Sequence, residues 1–153
     1  MKKILFAALL ALVFASCKEK KEVEKEMGMD ISGNYHVILK GYVDMIPNYN
    51  VEFDASLVYD EECNCFKSVI DGEIDEGGCL KTDENGRVSG NMRVKTGFEN
   101  VVLERHELTG HRGGSGKIGG YFEGRTYFLA EYAGSHRILE KNVRGYFRLT
   151  PLQ

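Results

Sequence analysis

Val51-Glu52-Phe53-Asp54-Ala55-Ser56-Leu57-Val58-Tyr59 alternates apolar and polar side chains from Val51 to Leu57 and keeps the same apolar parity at Tyr59, with Val58 the one apolar residue on the other side. Successive side chains of a β-strand point to opposite faces, so this stretch reads as a strand with Val51, Phe53, Ala55, Leu57 and Tyr59 buried on one side. Arg87 to Lys95 repeats the pattern, with Val88, Gly90, Met92 and Val94 on one face. It follows Asp83-Glu84-Asn85-Gly86, a turn sequence whose glycine suits a positive φ. Lys141 to Leu149 sets Val143, Gly145, Phe147 and Leu149 against Asn142, Arg144, Tyr146 and Arg148, and Pro151 is placed to end it.

Working outward, less regular segments predict further strands over 35–43, 65–70, 100–108, 118–123 and 125–132, for about eight in all. Short connections such as Ala133-Gly134-Ser135 favour antiparallel neighbours. No window carries a helical period. The composition agrees: 8 Tyr, 8 Phe and 18 Gly against 2 Pro and no Trp.

A local pattern recurs at strand starts: aliphatic, any residue, glycine, any residue, bulky. It reads Ile31-Ser32-Gly33-Asn34-Tyr35, Val88-Ser89-Gly90-Asn91-Met92, Ile118-Gly119-Gly120-Tyr121-Phe122 and Val143-Arg144-Gly145-Tyr146-Phe147. In each copy the glycine shares a face with both apolar residues and leaves a gap between them. Tightly coiled strands need such gaps, which favours one all-β domain over 31–153, a single antiparallel barrel of about eight strands. A two-sheet β-sandwich is the alternative. The first copy resembles the opening strand of lipocalin and avidin barrels, where a glycine precedes an aromatic residue.

The amino terminus carries an address. Lys2 and Lys3 precede an apolar run from Ile4 to Phe14, then Ala15, Ser16 and Cys17. A helix that crosses a bilayer needs roughly 20 apolar residues, so this shorter run reads as the core of a signal peptide over 1–16. A cysteine after two small residues resembles the lipobox of bacterial lipoproteins. That resemblance implies cleavage before Cys17, acylation of Cys17 by chains such as palmitate, and a lipid anchor in the cell envelope, most simply at the outer membrane. Lys18-Glu19 resembles the surface-export signal of lipoproteins in the Bacteroidota, leaving the periplasmic and surface faces both open. Residues 17–30 then form the lipidated cysteine and a charged tether, KEKKEVEKE over 18–26, with nothing to bury. Residues 18–30 reach roughly 45 Å when extended.

The formal net charge is -3, two units more negative once Lys2 and Lys3 leave with the leader. That sign argues against nucleic acid, whose phosphates need a basic surface. Outside the cytoplasm Cys63, Cys65 and Cys79 are disulfide candidates. A bridge within Cys63-Asn64-Cys65 closes a very small ring, so Cys79 is expected to pair with one of the two and one thiol to remain. A soft-metal site built on all three is the other reading.

Candidate chemistry is sparse. Thr109 to Gly120, TGHRGGSGKIGG, fails as a phosphate loop, since His111 and Ile118 stand where a glycine and a hydroxyl residue belong. As a mobile hairpin loop it offers His111, Arg112 and Lys117 as contacts for an anion. His106 and His111, five apart on a strand, point to opposite faces and make a poor metal pair. Asp71, Glu73 and Asp75 begin like a calcium loop, but Glu76 and Thr82 occupy its glycine and final carboxylate positions. No catalytic residue, metal or cofactor is expected.

The functional expectation is a non-enzymatic envelope lipoprotein that binds an apolar small molecule or another envelope protein. Its acidic balance also suits an inhibitor of a basic enzyme, similar in kind to the small lipoprotein barrels that block lysozyme. A hydrolase using His106, Glu107 and His111 is the third reading.

Overall fold

The computed structural model describes residues 28–44, 46–96 and 104–153. The segments read from the sequence as a leader and most of a tether, Cys17 included, lie outside the described residues. Among the described residues nine strands carry the fold: β1 (Gly33–Val43), β2 (Ile46–Asp60), β3 (Cys65–Ile70), β4 (Glu73–Ile74), β5 (Cys79–Thr82), β6 (Arg87–Val94), β7 (Glu104–Arg112), β8 (Ile118–Tyr132) and β9 (Ser135–Pro151). Every pairing is antiparallel. The order β2-β1-β9-β8-β7-β6-β5-β3 returns to its start through β2–β3, so eight strands form a ring, with the two-residue β4 hung on β3. The protein is therefore all-β. Among the described residues no helix is long and apolar enough to cross a membrane.

The period-two reading sets the inside. Val51, Phe53, Ala55 and Leu57 of β2 are buried, as are Val88, Met92 and Val94 of β6 and Val143, Phe147 and Leu149 of β9. Tyr35, Tyr49, Phe66, Phe122 and Ile118 complete the apolar interior with them. Each buried residue of this size contributes roughly 1.5–3 kcal/mol, so the interior accounts for most of the driving force.

Glycines let the ring curve. Gly41 faces Gly145 across β1 and β9, and Gly110 faces Gly120 across β7 and β8. A Cβ on Gly41 would collide with the carbonyl oxygen of Arg144, and one on Gly120 with that of Thr109. Gly41 and Gly120 thus admit neighbouring backbone, while a Cβ on Gly110 would also meet the Phe147 ring. Gly33 departs from the expectation. It is exposed, between buried Ile31 and Tyr35, with only the Tyr35 ring near a would-be Cβ.

The structure redraws several boundaries. Residues 118–132 form one strand, not two, because β9 lengthens back to Ser135 and pairs with β8 to its end, Tyr132↔Ser135. Ala133 and Gly134 make the two-residue turn, both at positive φ, 51° and 79°. Strands β4 and β5 were not foreseen: each is too short for a period to show. Strand β7 runs to Arg112, and the predicted segment 100–103 lies outside the described residues. Pro151 closes the β9 ladder from within, paired with Tyr35.

The ring is thinnest between β3 and β5, which share the single register pair Phe66↔Leu80. A Cys65–Cys79 disulfide crosses that junction. Cys79 had two candidate partners; β3 brings Cys65 into the ladder, while Cys63 stays in the preceding turn. No described cysteine is a free thiol, so the leftover thiol expected from an odd count is not found. With Cys65 and Cys79 joined, a metal site using three thiolates is not available.

Candidate functional site

Two groups of polar and aromatic side chains stand out, one inside the ring and one outside. The inner group begins with period two on β7: Glu104 and His106 point the same way and are both fully buried. The Glu104 Oε2 lies 3.3 Å from His106 Nε2. Tyr49 of β2 reaches across the interior, its hydroxyl 3.2 Å from the same Oε2 as donor and 3.0 Å from His106 Nε2. On β8 the Thr126 hydroxyl and the Tyr127 N–H both donate to Glu104 Oε1. Gly124 makes the room, since a Cβ there would collide with His106 Nδ1. That nitrogen is buried without a partner.

The electrostatics follow from this packing. Burial alone would push the Glu104 carboxyl up, but donors from His106, Thr126 and the Tyr127 backbone outweigh it and hold the group below its ordinary value. Burial raises the Tyr49 phenol far above its ordinary range, and the charge and hydrogen bond of Glu104 raise it further. A carboxylate satisfied by several donors and sealed by Phe122 and Tyr49 rings meets no solvent. Its chemistry is that of a cross-brace between β2, β7 and β8.

The sequence reading named His106 but missed its partners. Glu107 and His111, grouped with it for hydrolysis, are exposed on the opposite face, so the strand pleat separates the three. The signal that could have found Glu104 was the two-residue spacing to His106. Tyr49, two before Val51, continues the buried register of β2.

His111, Arg112 and Lys117 do not converge either. His111 is exposed on the outside of β7, whereas its neighbour Arg112 turns inward, its Nε buried without a partner. Lys117 lies beyond a compact turn closed by Gly113 N–H to Lys117 O at 2.8 Å and Gly116 N–H to Gly113 O at 3.0 Å. The mobile loop expected over 109–120 is thus mostly strand, since Thr109–Arg112 pairs with Ile118–Tyr121. Asp75, of the incomplete calcium-loop pattern, is buried and taken by Arg105, whose Nη2 donates to Oδ1 at 2.7 Å and Nη1 to Oδ2 at 3.1 Å. Asp71 instead meets Lys95 at 2.6 Å. Among the described residues no three His, Cys, Asp or Glu side chains could hold a metal ion.

The outer group lies on the sheet face of β1, β9, β8 and β7. Tyr146 and Tyr121 are register partners, with ring centroids 5.0 Å apart and planes at 44°. They are 61% and 64% exposed, and Tyr42, opposite Arg144, is 46% exposed. The rings border a shallow cavity of about 330 Å³ lined also by Glu107, Thr109, Glu123 and Arg144. A second hollow of about 620 Å³ adjoins it, sharing Glu107, Glu123 and Arg144 and ending at Asp44 and Arg125. Large tyrosines clustered in water on one sheet face are costly unless something covers them. Tyr and Arg are also the side chains that most often anchor interfaces.

No protein-family model matches the chain, and no curated protein matches it.

Proposed function

We propose that this chain is a cell-envelope lipoprotein whose folded body is a non-enzymatic binding module. Cys17 carries the lipid, residues 18–30 lift the body off the membrane face, and the outer sheet face does the binding. The observation that carries this reading is the contrast between the two sides of one sheet. The interior is occupied by the chain's own Tyr, Phe and aliphatic side chains. Outside, Tyr42, Tyr121 and Tyr146 stand uncovered beside a cavity. The buried Glu104–His106–Tyr49 network belongs, on this reading, to the fold.

Two measurements test it. Replacing Cys17 with serine should abolish incorporation of labelled palmitate and release the protein from the membrane fraction; unchanged membrane association would refute the anchor. Replacing Tyr121 and Tyr146 with alanine should remove ligands captured from envelope extracts by the tethered protein. Capture that persists at wild-type level refutes the binding face.

A further inference from the structure

We infer that the tyrosine face binds a saccharide carrying no net charge. This rests on the outer face being the binding surface, and it names the ligand class. Around the Tyr121–Tyr146 pair the register sets groups of both signs. Arg144 lies opposite Glu123 and Glu123 opposite Glu107, while Lys40 lies opposite Tyr146. Among the described residues none of these four side chains has a hydrogen bond or ion pair within the protein.

Their unused donors and acceptors narrow the ligand. A polyanion would meet Glu107 and Glu123, two carboxylates in direct register, and a polycation would meet Lys40 and Arg144. A neutral polyhydroxyl ligand offers donors to the carboxylates and acceptors to the guanidinium and ammonium without opposing either. Charged groups form the stronger hydrogen bonds, which suits hydroxyls that must be drawn from water. The apolar C–H face of a pyranose ring packs flat on an aromatic ring. Two tyrosines inclined at 44° form a shallow trough for it. The cavity of about 330 Å³ is at the small end of the range for small-molecule sites.

The test is calorimetric titration of the full-length protein in detergent micelles with neutral oligosaccharides (chitotetraose, cellotetraose and maltotetraose), with polygalacturonate and hexalysine as charged probes. Binding of at least one neutral oligosaccharide is expected, weakened about tenfold by Tyr121→Ala and by Tyr146→Ala. Tyr127→Ala, on the ribbon beyond the face, should leave it unchanged. All three tyrosines are exposed, so unaltered circular dichroism and melting will show that the variants fold. If neutral probes do not bind, or bind regardless of Tyr121 and Tyr146, the inference is wrong. If only a charged probe binds, and does so through the tyrosines, the saccharide class is overturned while the binding face stands. If no probe binds and capture from envelope extracts ignores the tyrosines, both fall.

Discussion

His106 Nε2 lies 3.0 Å from the hydroxyl of Tyr49, a residue 57 positions earlier in the chain, and both are buried. The contact ties β2 to β7 across the interior, although these strands are not neighbours in the ring. Glu104 completes the brace, and its carboxylate is the group whose loss is felt most.

Glu104→Ala should destabilise the fold by about 3–5 kcal/mol, because Thr126, Tyr127 N–H and Tyr49 would all lose a buried acceptor. Urea denaturation measures it. Acid should act on the same group. Its folded carboxyl titrates below the ordinary 4.5, so its contribution is complete above that pH and is lost as the pH falls through the lower folded value. Glu104→Gln should flatten this acid limb of the stability curve; an unchanged limb would place the dependence elsewhere.

Tyr49 predicts the opposite limb. Its phenol is raised above the ordinary 10.0, so the protonated hydroxyl contributes fully below pH 10 and the contribution is lost as the pH rises beyond it. Tyr49→Phe should cost about 1 kcal/mol at neutral pH and reduce the alkaline loss. Buried Tyr35, also raised, chiefly by burial, retains its own share. Thermal melts between pH 7 and 11 separate the two.

Closure at β3–β5 depends on a covalent link. Cys65 and Cys79 are 14 residues apart. A loop of about this length limits the unfolded chain by roughly 3 kcal/mol. The Cys65→Ser, Cys79→Ser double variant should lose about that much. Amide exchange should rise first in β3 and β5, where one register pair otherwise joins them. Uniform loss of protection would argue against a weak junction.

Gly120→Ala should lower stability by about 1–3 kcal/mol, since the added methyl must displace the β7 backbone at Thr109. Gly114→Ala serves as the control. A Cβ there meets nothing within 4 Å. Equal melting temperatures for the two variants would remove the close-approach account of the interior glycines.

Much of the fold was legible in the residues because the β pleat is local. A side chain's face depends only on its parity along the strand, so Phe53, Met92 and Phe147 could be placed inside without knowing any partner. The turn at Ala133-Gly134 was equally local. Short pieces escaped: Glu73–Ile74 and Cys79–Thr82 span too few residues for alternation to show. The hairpin at Asp71-Gly72 between β3 and β4, where both residues take a positive φ, also went unread.

By itself, then, the sequence determined an all-β body and the inward and outward sets of its longer strands. Only the tertiary structure decided which cysteine Cys79 joins, how the ring closes, and that Tyr49, Glu104, His106 and Thr126 meet. It alone set Tyr42, Tyr121 and Tyr146 side by side. The reason is register: pairing between strands fixes which distant residues share a level, and no periodicity within one strand encodes it.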